Sequence, residues 1–142
     1  MVLILEPQRG IDTWEEEFYP TEAYICSKRN AAAHSLRKWI GLTKKNLAKH
    51  NLCKAEGILA VKRDPGFGET LMAFWVDGDA CALCHHFYDI SLLPICKSCP
   101  VFKVNKGKSC LGAYEEWAKT GNIRPMLRLL RKAVAWSKEH IS

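Results

Sequence analysis

Five cysteines between positions 81 and 110 constrain this chain more than any other feature. Their pattern is Cys81-x2-Cys84-x11-Cys96-x2-Cys99-x10-Cys110. Two residues between paired thiols let both sulfurs face one ion from a tight turn, and two such pairs supply the four ligands, each about 2.3 Å from the metal, that a tetrahedral zinc site takes. Two disulfides would need an oxidising route. The opening apolar run ends at Glu6-Pro7, too short for the core of a signal peptide and without a basic segment before it. No stretch approaches the roughly 20 apolar residues of a membrane span. The expected compartment is therefore a reducing cytoplasm, with no membrane partner.

The spacing favours Cys81, Cys84, Cys96 and Cys99 as ligands of one structural Zn2+, with Cys110 competing for a place. An iron–sulfur cluster also takes four thiolates and stays as an alternative, although two separated pairs differ from the compact ferredoxin run. His85 and His86 follow Cys84 directly and could replace a thiol or orient one. Cys26 and Cys53 lack pair spacing and read as small buried apolar residues. An all-thiolate site leaves no open position for a reacting water, so it is structural and the chain is not expected to be an enzyme. Asp77 and Asp79 flank Gly78 as turn residues, and Asp64-Pro65-Gly66-Phe67-Gly68 has no phosphate-loop pattern. A metal-dependent nuclease would need clustered carboxylates or an open His-rich site, which are missing from the pattern. No small-molecule substrate is evident.

Charge is distributed unevenly. The formal net charge is +6. Residues 1–26 carry six acids and one base, whereas the remainder carries 20 bases and nine acids. A body that basic attracts nucleic acid or an acidic protein surface. Basic and aromatic residues interleave twice, at Arg37-Lys38-Trp39 and around Phe102 beside the cysteines. Arg37, Lys38, Lys97, Lys103, Lys106 and Lys108 are the expected contacts to nucleic acid or a protein partner. Trp39 reads equally as a core anchor, given its helical position.

The remaining pattern predicts one domain over 1–142 of α+β class, mainly helical, with a β-hairpin and a zinc-bound cysteine loop region. An acidic arm spans 1–26, where Thr13 and Glu16 have capping-box spacing for a short helix ending before Pro20. A helical hairpin spans 27–54. Ser27 caps a helix to about Ile40 with Ala31, Ala32, Leu36 and Ile40 inward and Lys28, Arg29, Arg37 and Lys38 solvated; Thr43 caps a second helix with Leu47 inward. A β-hairpin spans 55–80, from the apolar runs 57–61 and 71–76 around the turn formers at 64–68. The zinc cluster occupies 81–110, and C-terminal helices follow over 113–139, broken at Thr120-Gly121-Asn122. In the last of these Met126, Leu127, Leu130, Ala133 and Val134 form an apolar stripe, and Arg124, Arg128, Arg131, Lys132 and Lys138 make the other side basic.

The segments Ala33-His34-Ser35-Leu36-Arg37-Lys38-Trp39-Ile40-Gly41-Leu42 and Asn46-Leu47-Ala48-Lys49-His50, with Cys81-Ala82-Leu83-Cys84, Cys96-Lys97-Ser98-Cys99-Pro100 and Gly107-Lys108-Ser109-Cys110, resemble small cysteine-cluster proteins encoded by bacteriophages. The resemblance covers residues 30–54 and 80–117, and 55–79 reads as an addition to it. It implies a phage or prophage source, a metal site in which the fifth cysteine has a role, and residence in the host cytoplasm. The basic body and its lysine-rich loop lead to the expectation of an accessory protein that binds nucleic acid. The contrast of acidic arm and basic body in a small phage protein leads to the alternative of an interaction module that binds or inhibits a host protein such as a defence or nucleic-acid enzyme.

Overall fold

Trp14 and Phe18 lie four residues apart, and that spacing on one helical face sets how the chain begins to pack. In the computed structural model, which describes residues 9–55, 58–61, 73–75, 81–88, 91 and 97–141, they lie on α1 (Arg9–Phe18). Both are buried, with ring centroids 6.0 Å apart. The helix starts upstream of the expected capping box, so Thr13 is inside it. Its hydroxyl reaches His50 Nδ1 at 2.9 Å instead of capping.

Helix α2 (Ala31–Ile40) starts at Ala31, with Asn30 as its N-cap. Ser27 closes a preceding turn, its Oγ accepting the Asn30 N–H at 3.2 Å. The buried face of α2 comprises Ala31, Ala32, Ser35, Lys38 and Trp39, while Leu36 and Ile40 are only partly covered. The helix is thus rotated from the expected orientation, which brings Lys38 inside. Thr43 caps α3 (Lys44–Lys49), its hydroxyl accepting the Asn46 N–H at 3.4 Å, and Leu47 is buried.

Gly41, between α2 and α3, is required by space and not by backbone angle. Its φ is −64°, open to any residue, but a Cβ there would stand 2.5 Å from Phe18 Cγ, near the root of that side chain. Trp14 Nε1 donates to the Gly41 carbonyl at 2.9 Å and locks the contact. Gly41→Ala is therefore expected to lower unfolding stability by about 1–3 kcal/mol, through overpacking. Urea unfolding at unchanged m-value measures this.

The α+β expectation is corrected. The described residues form a mainly helical domain. Among the described residues, extended structure is limited to β1 (Leu52–Ala55), β2 (Ile58–Val61) and β3 (Ala73–Trp75), antiparallel in the order β1-β2-β3. The register sets Leu52 opposite Val61 and Ile58 opposite Trp75. β1 takes residues assigned to the helical hairpin. The turn formers at 64–68 lie outside the described residues, as do Asp77 and Asp79.

Four further helices follow, α4 (Ala82–Phe87), α5 (Pro100–Val104), α6 (Leu111–Thr120) and α7 (Arg124–His140). The first two occupy the stretch read as cysteine loops. Gly121 ends α6 in the left-handed region at φ 81°. Pro125 stands in the first turn of α7, where its missing N–H costs nothing. α2 packs on α7 and α4, and α5 packs on α7. An aromatic group joins α2 to α6: Trp39 meets Trp117 edge-on at 4.9 Å and Tyr114 at 6.1 Å. Among the described residues no helix is long and apolar enough to cross a membrane.

A polar staple ties α1 to the end of α3. Lys49 Nζ contacts both Glu17 carboxylate oxygens at 2.9 and 3.0 Å, and His50 Nε2 lies 2.7 Å from Glu17 Oε1. Hydrogen bonds from Lys49, then His50, hold the Glu17 carboxyl below its ordinary pKa. A depressed folded-state pKa contributes stability above the unfolded carboxylate pKa, and that stability is lost as pH falls through the folded value. Wild-type melts are accordingly expected to exceed those of Glu17→Gln near neutrality and to converge with them as the pH falls below the carboxylate range. Melting temperatures across that pH series provide the check.

Candidate functional site

Three short segments of chain each place a cysteine where a helix begins. Cys81 is the N-cap residue of α4, Cys99 of α5 and Cys110 of α6, while Cys84 lies within α4. The route from Cys99 to Cys110 is fixed by a turn that returns the chain. Lys106 and Gly107 adopt positive φ of 54° and 76°. Asn105 Nδ2 donates to the Lys108 and Ser109 carbonyls at 3.2 and 3.1 Å. The fifth cysteine is thereby brought back toward Cys84 and Cys99.

These sulfurs act on one another. A hydrogen bond with Cys84 pulls the Cys81 thiol well below its ordinary pKa against the opposing effect of burial, helped by the Lys38 charge, the Cys84 backbone N–H and the Ser35 hydroxyl. The same bond drives Cys84 upward, reinforced by burial and by the charges of Cys81, Cys110 and Cys99. Burial pushes Cys99 up to about 12, opposed by the backbone N–H groups of Val101 and Phe102. All four are free thiols. Cys81, Cys99 and Cys110, the last being the residue ranked last by spacing, thus all exert their charge on Cys84. Cys96 lies outside the described residues. Among the described residues, no group of three or more His, Cys, Asp or Glu side chains is arranged to hold a metal ion.

The neighbouring groups take other roles. His86 Nε2 lies 2.7 Å from the Cys26 carbonyl and 3.9 Å from its sulfur, which ties the 21–30 loop to α4. His85 is exposed, its ring 6.3 Å from that of Tyr24. Cys26 is half-buried, with its thiol 3.4 Å from the Ala23 carbonyl, and burial raises its pKa. The Cys53 side chain lies outside the described set.

The expected basic contacts divide. Lys97, Lys103, Lys106 and Lys108 are exposed. Arg37 is exposed as well, but its Nε donates to the Glu17 carbonyl at 2.6 Å. Lys38 is the exception to the solvated reading: it is 1% exposed, with Nζ 5.8 Å from the Trp39 ring centroid. It cannot meet a nucleic acid in this fold. The signal lay in its spacing from Ala31 and Ser35, seven and three residues earlier, which puts it on the packed face of α2.

A stronger basic surface lies on α7. Met126, Leu130, Ala133 and Ser137 are buried along one side. Arg124, Arg128, Arg131, Lys132 and Lys138 are all exposed. At about 100° per residue these five fall within an arc of about 120° opposite the buried side. Elsewhere, an open cleft of about 680 Å³ lined by Leu42, Leu47, Leu52, Trp117 and Ile123, with Lys44 and Arg124, includes none of the thiols. No family model, curated protein or solved structure matches this chain.

Proposed function

We propose that this chain is a zinc-stabilised accessory protein that binds nucleic acid through its basic surface in the host cytoplasm, as the phage resemblance implies. The exposed cationic face of α7 carries the reading. Its five cations project from a rigid helix whose other side is buried, so they are positioned for phosphates without a folding cost on binding. The zinc part of the reading rests on the paired spacing of Cys81, Cys84, Cys96 and Cys99, with Cys110 as competitor, since the described side chains by themselves are not arranged to hold a metal ion. A bound zinc would cross-link α4, α5 and α6 with no position left for a reacting water, so the proposal includes no catalytic step.

Binding to a fluorescent oligonucleotide, duplex and single-stranded, between 50 and 200 mM salt tests it. Affinity should fall steeply with salt, as phosphate neutralisation requires. No binding at low salt, or a flat response, refutes it. A second reading is an interaction module that binds or inhibits a host protein. It is favoured by Tyr24, Ile25, Tyr88 and Leu111, large apolar residues each more than half exposed and close in sequence to the described cysteines. A host protein that binds the wild type and is lost on Tyr24→Ala with Tyr88→Ala supports it.

A further inference from the structure

Every fourth residue of a helix falls on one ridge that winds slowly round it, with about 6 Å of axis per step. Along α7 one such ridge reads Arg124, Arg128, Lys132, Trp136, His140. Three cations are thus followed by two aromatic rings. The cations and His140 are exposed, and Trp136 is partly exposed. The two rings stack, with centroids 4.5 Å apart and planes 12° from parallel. Aromatic pairs in the core meet at steeper angles, 46° for Trp14 with Phe18 and 78° for Trp39 with Trp117. His140 Nδ1 donates to the Trp136 carbonyl at 2.9 Å, which holds the imidazole flat against the indole. One face of that ring is used in the stack, and its exposure leaves the other for a further planar group.

Resting on the nucleic-acid reading above, we infer that the ligand is a single strand, with its phosphates along Arg124, Arg128 and Lys132 and one base stacked on the His140–Trp136 pair. Bases inside a duplex have both faces covered by their neighbours, so only an unpaired base can extend the stack. Every base has a π-face, so the contact is tolerant of sequence. Charge divides the helix in the same way as the rings do. From Arg124 to Lys132, α7 carries four cations and no acid. Its single acid, Glu139, is exposed in the last turn beside exposed Lys138, and the two offset each other there. Phosphates are therefore drawn to the first part of the helix, and a neutral base is accepted at the second.

The test uses the full chain and three probes: a single-stranded oligothymidylate, a strand of the same length built only of abasic nucleotides, and a closed circular duplex, which has no ends. Wild type should bind the oligothymidylate about fivefold or more tightly than the abasic strand, the effect of one stacked base at the low end of its range. His140→Ala should remove that advantage, leave the other two probes within about twofold of wild type and keep the slope of affinity against salt. His140→Tyr, which restores a ring, should bind the oligothymidylate as wild type does. Trp136→Leu should act as His140→Ala does, and equal melting temperatures of the His140 variants and wild type separate binding from folding. The inference is overturned if wild type binds the thymidylate and abasic strands equally, if His140→Ala weakens all three probes alike, or if His140→Tyr fails to restore binding. Absence of salt-sensitive binding to any probe refutes the nucleic-acid reading itself, whereas salt-sensitive binding that ignores the bases refutes only the stacking end.

Discussion

Stripping the proposed zinc with excess chelator is expected to lower the melting temperature by about 10–20 °C, with recovery on adding zinc back. An ion at about a thousand times its dissociation constant stabilises the folded state by about 4 kcal/mol, and for a chain of this size each kcal/mol moves the transition by about 3–5 °C. The local structure explains why the effect should be large. α4 spans six residues and α5 five, far below the length at which an isolated helix persists in water. Each starts on a proposed ligand, as does α6. Tertiary packing holds them through few buried side chains: Ala82, Leu83 and Phe87 on α4, Pro100 and Val101 on α5, and Trp117 on α6. Release of the sulfurs would free these segments together. Cys84→Ser should reproduce the chelated melting temperature and become insensitive to chelator. Cys26→Ser, at a half-buried thiol bonded to the Ala23 carbonyl, should remain sensitive to it. Identical melts of zinc-containing protein with and without chelator would show that the cysteines do not hold a structural ion.

The parts of this fold that were readable in the sequence are those whose causes are local. Thr43 caps because its hydroxyl needs only the N–H three residues on. Gly121 ends α6 because a left-handed residue is needed there, and Pro125 fits a first turn. Thr13 and Ser27 show the limit. Both have capping chemistry, yet a partner far along the chain, His50, engages Thr13, and Ser27 closes a turn before the helix starts. Short apolar runs near residues 52–61 carry no period long enough to separate the end of a helix from a strand, which is why β1 went unread. The site divides in the same way. Cysteine spacing picked out the thiol region, but spacing weighs only neighbours. Cys110 is carried back by Asn105 and the positive-φ pair at 106–107, a turn whose destination depends on where α5 packs. Lys38 is misread by any rule that assigns charge to solvent, because its burial depends on what stands opposite the helix.

Replacing Arg128 and Arg131 together by Gln is expected to weaken nucleic-acid binding by roughly sixtyfold at 0.1 M salt and to leave the fold unchanged. Each phosphate contact on a duplex contributes about 0.9 to the slope of log affinity against log salt, which is roughly eightfold in affinity per contact at that concentration. Two lost contacts should therefore flatten the slope by about 1.8 as well. The pair is chosen because both residues are exposed near the middle of α7, opposite its buried stripe, so stability should change by no more than about 0.5 kcal/mol. This separates a binding effect from an unfolding effect, a distinction that no substitution at Lys38 could make. Lys103→Gln with Lys108→Gln provides the comparison, since those exposed lysines lie at the end of α5 and in the turn after it, and α5 itself packs on α7. If the phosphates follow α7 alone, the second pair leaves the slope unchanged; if they also cross the α5 turn, both pairs lower it and the effects add. An undiminished slope in the Arg128 and Arg131 variant would remove α7 from the interface. Salt-sensitive binding that then disappeared with Lys103 and Lys108 would assign the phosphates to the turn beside the cysteines.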